Sequence, residues 1–214
     1  MAAWSPDGRE IVYQSTGGLF RFNLGRPGEK SALGTSVSPE SWTPDGKRLV
    51  YRLDGGPLGR SSLWIRSLDA DPSPRRLGPE NAVEWASDLS PDGRFIAYTS
   101  DASRRAEVYV RALDRPTGEV RVSTEGGFAP RWRRDGRELF YVDEGRRLMA
   151  VPVASLDPPT FGAPQALFAP RIEEDTYRQY DVFPDGRSFL LNRSLASGRE
   201  PISLVLGWTA RMQQ

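Results

Sequence analysis

An Asp-Gly pair followed by a basic residue recurs five times along the 214 residues: Asp7-Gly8-Arg9, Asp45-Gly46-Lys47, Asp92-Gly93-Arg94, Asp135-Gly136-Arg137 and Asp185-Gly186-Arg187. Successive aspartates are 38, 47, 43 and 50 residues apart. That period is about the roughly 40–50 residues of a unit of four short strands, and a chain with such a period stacks units that each bury a face on a neighbour. Each anchor is followed by a β-rich run: Ile11-Val12-Tyr13, Leu49-Val50-Tyr51, Phe95-Ile96-Ala97-Tyr98, Leu139-Phe140-Tyr141-Val142 and Phe189-Leu190-Leu191. A loop and a second run come next, as in Leu19–Phe22, Leu63–Arg66, Val108–Arg111, Leu148–Val151 and Ile202–Val205. A third run follows in four repeats, Ser31–Leu33, Arg75–Leu77, Val120–Val122 and Gln165–Leu167, and the fifth has none before the sequence stops.

The pattern predicts an all-β fold, a β-propeller of four-stranded blades with about five repeats forming a partial, open ring, in one domain over residues 1–214. The Asp-Gly dipeptide suits a two-residue hairpin turn, where glycine takes positive φ without a Cβ clash and aspartate bonds nearby amides. Asp7, Gly8, Asp45, Gly46, Asp92, Gly93, Asp135, Gly136, Asp185 and Gly186 are therefore read as structural turns. Proline precedes the aspartate in four copies and Arg134 in the other; the proline is expected to stop the incoming strand by removing a donor. Trp4, Trp42 and Trp132 lie three residues before the aspartate and are expected to pack between neighbouring blades.

Trp4-Ser5-Pro6-Asp7-Gly8 and Trp42-Thr43-Pro44-Asp45-Gly46, each followed by a β run ending in Tyr, resemble the WD-related repeat of TolB-like propellers. The last third, from Leu148–Val153 through Phe161–Phe168 and Tyr180–Asn192 to Ile202–Thr209, resembles the C-terminal propeller of some bacterial serine/threonine kinases. That resemblance implies the C-terminal part of a larger protein, a periplasmic or extracytoplasmic setting and no catalytic residue in this portion. The kinase motifs themselves are missing: there is no His-Arg-Asp and no Asp-Phe-Gly.

Composition narrows function further. There is no histidine and no cysteine, so the usual hydrolase triads, thiolate metal sites and imidazole zinc ligands have no residues to build them. The 29 basic and 28 acidic residues give a formal charge of +1, which supplies no global field toward nucleic acid or an anionic membrane. Apolar runs such as Leu204-Val205-Leu206 are too short to span a bilayer, and Met1–Trp4 does not read as a leader, so no membrane insertion and no signal segment are expected.

The anchor aspartates could ligate a hard cation, but each belongs to a different blade, and turn stabilisation accounts for all five. Asp69, Asp71 and Asp114 read as loop residues. No metal and no cofactor are expected. Arg104-Arg105, Arg133-Arg134 and Arg146-Arg147 could form an anion patch, yet Asp101, Glu107, Asp143 and Glu144 interleave, which favours a solvated loop face over nucleic-acid binding. The aromatic residues fall mostly at repeated strand positions and read as core rather than stacking platforms.

The expected function is a non-catalytic binding, sensing or scaffold module that takes a protein partner or small ligand at one propeller face. The candidate face is the one opposite the Asp-Gly turns, carrying the loops 54–60, 100–105, 143–147 and 194–199, with Glu84, Arg104, Arg105, Arg131, Tyr177 and Arg178 as candidate binding residues. The competing reading is the gating propeller of a prolyl-oligopeptidase-like peptidase whose catalytic domain lies outside this sequence. An open ring is also expected to expose edge strands at both ends and so to self-associate.

Overall fold

The computed structural model describes residues 1–16, 18–26, 30–35, 37–55, 60–69, 73–115, 118–170 and 180–192, and the backbone of 203–205. Among the described residues twenty strands form five antiparallel sheets, one per repeat. Blade 1 contains β1 (Ala2–Trp4), β2 (Glu10–Ser15), β3 (Gly18–Asn23) and β4 (Lys30–Gly34) in that order across the sheet. Blade 2 contains β5 (Val37–Trp42), β6 (Arg48–Leu53), β7 (Ser62–Ser67) and β8 (Arg75–Arg76), and blade 3 β9 (Glu84–Leu89), β10 (Phe95–Ser100), β11 (Glu107–Ala112) and β12 (Val120–Arg121).

Blade 4 comprises β13 (Phe128–Trp132), β14 (Glu138–Val142), β15 (Leu148–Leu156) and β17 (Gln165–Phe168), with β16 (Pro159–Phe161) folding back on the far end of the long β15. Blade 5 contributes β18 (Tyr180–Val182), β19 (Phe189–Leu191) and β20 (Ser203–Val205) among the described residues. The first strands lie side by side in chain order, β1 against β5, β5 against β9, β9 against β13 and β13 against β18.

Alternation along each strand gives a blade two buried faces: a front face toward the preceding blade and a back face toward the next. Four core clusters result, one at each junction. Ala3, Val12 and Leu19 on the back of blade 1 meet Trp42, Leu49 and Tyr51 on the front of blade 2. Val50, Leu63 and Ile65 meet Ile96 and Tyr98; Ala97, Val108 and Val110 meet Trp132, Leu139 and Tyr141; Phe140, Val142 and Leu148 meet Tyr180, Phe189 and Leu191. Back faces are largely aliphatic and front faces carry the rings. Among the described residues no core cluster joins blade 1 to blade 5, so the five blades form an open arc. What such an arc leaves uncovered at its two ends is a sheet face, because blades stack face to face while strand edges lie at the axis and the rim. The expectation of exposed edges at the ends is corrected accordingly.

The Asp-Gly hairpins also differ in detail from a two-residue turn. The Ser5 amide donates to Glu10 O at 2.9 Å and the Gly8 amide to Ser5 O at 2.9 Å, so the loop holds four residues, Pro6 to Arg9. Proline therefore occupies the second position of the β-turn, where its fixed φ suits the conformation, rather than ending the strand. The five glycines follow that turn with φ between 66° and 72°.

In three of the five turns the aspartate is held by a hydroxyl two residues before it: Ser5 Oγ donates to Asp7 Oδ1 at 2.6 Å, Thr43 Oγ1 to Asp45 at 2.5 Å and Ser90 Oγ to Asp92 at 2.6 Å. Each hydroxyl in turn accepts from the amide five residues on, that of Glu10, Arg48 or Phe95. The Ser5 hydroxyl, followed by the Arg9 amide, holds the Asp7 carboxyl below its ordinary 3.8, and Thr43 and the Lys47 amide do the same at Asp45.

The turns stack on one another along the arc. A Cβ on Gly93 would lie 2.7 Å from Pro44 Cδ in the preceding turn, whereas a Cβ on Gly8 would meet nothing within 4 Å. Gly8→Ala is therefore expected to cost only the positive-φ penalty of about 1 kcal/mol, and Gly93→Ala about 2 kcal/mol because Pro44 must also shift. Urea denaturation of the two variants measures the difference, and equal losses would contradict the stacking.

Candidate functional site

At the opposite end of the blades, Asp101–Arg104 and Asp143–Arg146 form equivalent turns between the second and third strands of blades 3 and 4. The Arg104 amide donates to Asp101 O at 2.7 Å with φ of +67°, and the Arg146 amide to Asp143 O at 3.0 Å with φ of +62°. Two non-glycine residues held in the left-handed region show that the turns are set by their surroundings rather than by local preference.

The second arginine of each pair is folded back. Arg105 Nη2 lies 2.9 Å from Glu107 Oε1, and Glu107 is 1% exposed. That carboxylate also accepts from Ser123 Oγ and from the Gly126 amide. Arg147 pairs with Asp143 at 2.7 Å. The first arginine of each pair stands at the tip: Arg104 is exposed, and Arg146 lies over the Phe128 ring at 5.6 Å. Exposed Glu144 stands 3.9 Å from Arg105. The surface is thus of mixed charge, with most of its ions already paired within the blade, and suits a polar protein surface or a small ligand with a carboxylate better than a polyanion.

Sequence reasoning placed Glu84 and Arg131 on this face. Glu84 is 0% exposed, buried between blades 2 and 3, with Oε2 accepting from the Leu63 amide at 3.1 Å and Oε1 without a partner. Gly78 abuts it so closely that any Cβ there would overlap the carboxyl. Arg131 is 6% exposed and donates to Pro130 O at 2.7 Å. Both sit on first strands, whose side chains project into blade junctions rather than toward solvent, so neither presents itself to a ligand. Tyr177 and Arg178 lie outside the described residues, as do most of the loops 54–60 and 194–199.

Burial pushes the Glu84 carboxyl up to about 7, against the Leu63 amide and the charges of Arg76 and Arg111. A carboxyl tuned to neutrality can serve as a general acid or base, but only within reach of a substrate, and Glu84 has no exposed surface. Beside it, burial and the hydrogen bond to Glu119 raise the Tyr98 hydroxyl well above its ordinary range. Among the described residues no group of three His, Cys, Asp or Glu could hold a metal ion.

Sequence reasoning missed the polar links that cross blade junctions near the axis. The first strands carry bulges, with Ala86 at φ 51° and Ala129 at φ 54°. The amides this frees are captured by the preceding blade: Ser87 N by Glu40 Oε2 at 3.0 Å and Ala129 N by Thr99 Oγ1 at 3.1 Å. Asp88 Oδ2 likewise accepts from Trp132 N at 2.8 Å. Glu40 also faces Arg52, which bonds Asp54 at 2.6 Å. These links satisfy strand edges that would otherwise be open to pairing.

Five antiparallel blades, of three to five strands among the described residues, stacked face to face about a common axis define a β-propeller, present here as an arc. Its fold is that of the TolB-like propellers. TolB from Acinetobacter baumannii superposes with a TM-score of 0.67 at 16% identity, covering 91% of this chain and 48% of its own. A putative TolB from Agrobacterium tumefaciens gives 0.68 at 21% identity, over 89% and 68%. A puromycin-hydrolyzing peptidase of Mycobacterium tuberculosis gives 0.62 at 18% identity, over 85% of this chain and 33% of the peptidase. In sequence, 59 residues are 37% identical to dipeptidyl aminopeptidase BI of Pseudoxanthomonas mexicana, which is 27% of this chain and 8% of that protein. No family model matches the chain. The chain thus spans about half of the Acinetobacter TolB and a small fraction of the aminopeptidase. Among the described residues no helix is long and apolar enough to cross a membrane.

Proposed function

We propose that the chain is a non-catalytic propeller module that binds a protein partner or small ligand through the face carrying Arg104, Arg105, Glu144 and Arg146. The observation that carries this reading is the use of Glu107 and Asp143 to anchor Arg105 and Arg147. That anchoring fixes the turns so that Arg104 and Arg146 are presented in register from neighbouring blades. Prepositioned side chains lose little freedom on binding, which favours recognition. An extracytoplasmic setting, as the sensory end of a larger protein, belongs to the same reading and is supported by the TolB likeness alone.

Cross-linking mass spectrometry in an extract of the source organism tests the proposal. Cross-links from partner proteins are expected to concentrate on 101–106 and 143–147 and to fall at least tenfold in Arg104→Glu/Arg146→Glu, with unchanged thermal unfolding. Partner cross-links gathered instead on the Asp-Gly turns would contradict it.

A second reading is supported by the 59-residue match to the aminopeptidase and the fold likeness to the peptidase of Mycobacterium tuberculosis. In it the propeller gates access to a catalytic domain that this sequence does not contain, and the loop face would border the passage to that domain.

A further inference from the structure

We propose that Glu84 is a proton-operated latch on the face that carries Arg104. When neutral it keeps the connection 78–83 seated on the junction of blades 2 and 3 and the Arg104 turn in place, and when ionised it frees both. The inference rests on the reading of that face as the binding surface and names what regulates it.

The connection leads from blade 2 to the first strand of blade 3 and passes against the carboxyl. Glu84 is 0% exposed and its two oxygens are unequal: Oε2 accepts from the Leu63 amide at 3.1 Å, while Oε1 has no partner and lies against Gly78. A neutral carboxyl fits such a place. A carboxylate with a bare oxygen does not, and water reaches it only if the connection moves. Two cations face the group, Arg76 from β8 and Arg111 from β11, together with Glu119 and the Tyr98 hydroxyl, which donates to Glu119. Neither guanidinium bonds Glu84. Arg76 Nη2 donates to Pro79 O at 2.6 Å, leaving its buried Nε without a partner, and Arg111 donates to Leu77 O. The two arginines thus hold the carbonyls on either side of Gly78. A negative charge at Glu84 competes for both, which loosens the connection from beneath. Burial outweighs the two cations, so the carboxyl is pushed up to about 7.

The far end of the connection is tied to the binding face. Val83 N donates to Asp101 Oδ1 at 2.7 Å and Asp101 N to Val83 O at 3.2 Å. Asp101 O in turn accepts the Arg104 amide at 2.7 Å, the bond that closes the turn with Arg104 at positive φ. Ser100, one residue earlier, is the ladder partner of Glu84 itself. One pair of residues therefore separates the latch from the arginine that the face presents. In the equivalent turn of blade 4 both Asp143 oxygens are taken by Arg147 within the turn, so Arg146 stands as an internal control.

Quenched-flow amide hydrogen exchange of the purified chain at pH 5 and pH 8, corrected for the intrinsic rate, tests this. Opening returns Glu84 to its ordinary 4.5 from about 7, so the closed form is fully favoured below 4.5 and weakens as pH rises through 7. Protection of the Val83, Asp101 and Arg104 amides is expected to fall by roughly tenfold or more from pH 5 to pH 8. The Arg146 amide should change by less than about twofold, and Glu84→Gln, which stays neutral, should abolish the fall at the other three. Equal protection of the Asp101 and Arg104 amides at the two pH values would overturn the proposal. So would Val83, Asp101 and Arg104 exchanging at the same protection as Phe140 and Val151 in the centre of blade 4, since Glu84 then ionises only when the whole chain unfolds. No partner enters the experiment, so it fails or succeeds independently of the cross-linking that tests the binding surface.

Discussion

Glu40→Ala is expected to lower stability by about 3 kcal/mol, the range seen when one partner of a buried ion pair is removed. Glu40 is 5% and Arg52 3% exposed, and the carboxylate faces both the Arg52 guanidinium and, across the junction, the Ser87 amide at 3.0 Å. Alanine takes the acceptor from a buried amide and a carboxylate from the buried Arg52 cation, which keeps its bond to Asp54. The double variant Glu40→Met/Arg52→Met removes the charges together and is expected to recover roughly half the loss, the remainder being the unpaired Ser87 amide, which costs about 1–3 kcal/mol. Urea denaturation with unchanged slope measures both. A loss below about 1 kcal/mol in the single variant would show that the junction does not depend on this link.

The second large effect concerns pH. The Glu84 carboxyl titrates at about 7 in the folded chain against 4.5 in its ordinary setting, chiefly because it is buried. The folded state therefore holds the proton more tightly than the unfolded state. The stabilisation this gives is complete below about 4.5 and is lost as pH rises through 7, a change of about 3 kcal/mol by linkage. Glu84→Gln keeps the shape of the neutral acid and removes the titration. Its stability should be flat between pH 4.5 and 7.5 relative to the parent chain, and it should exceed the parent at pH 8. A parallel pH dependence in the two proteins would contradict the assignment. The turn aspartates act in a separate window with the opposite sign: Asp7, Asp45 and Asp185 are held below 3.8, so their contribution is lost on acidification below that value.

The two carboxyl groups also show what sequence can reveal. The period of the anchors and the short β runs are local signals, and they placed the blades, their four-strand plan and the open arc. The hydroxyl that grips three of the five turns was legible too, since Ser5, Thr43 and Ser90 all stand two residues before the aspartate, but it was read only as part of the motif. Glu40 could not be read. Its partners are 12 and 47 residues away, and the amide it captures is freed by a bulge that no pattern announces. Glu84 was misplaced for a related reason: at the first residue of a first strand, polarity suggests the channel mouth, while the pleat turns the side chain into the junction. Trp4 matched its repeat in sequence and departed from it in burial, at 59% exposed against 7% for Trp42 and 6% for Trp132, because burial depends on a neighbour and not on the residue itself.

The claim at the centre of this account is that the chain recognises without catalysing. Incubation of the purified protein with a panel of aminoacyl and dipeptidyl p-nitroanilides, with release of nitroaniline followed at pH 7, tests it most directly against the peptidase reading. The account predicts release no faster than in buffer for every substrate. Saturable release that is abolished by a single substitution in this chain, at Glu84 or elsewhere, would contradict it.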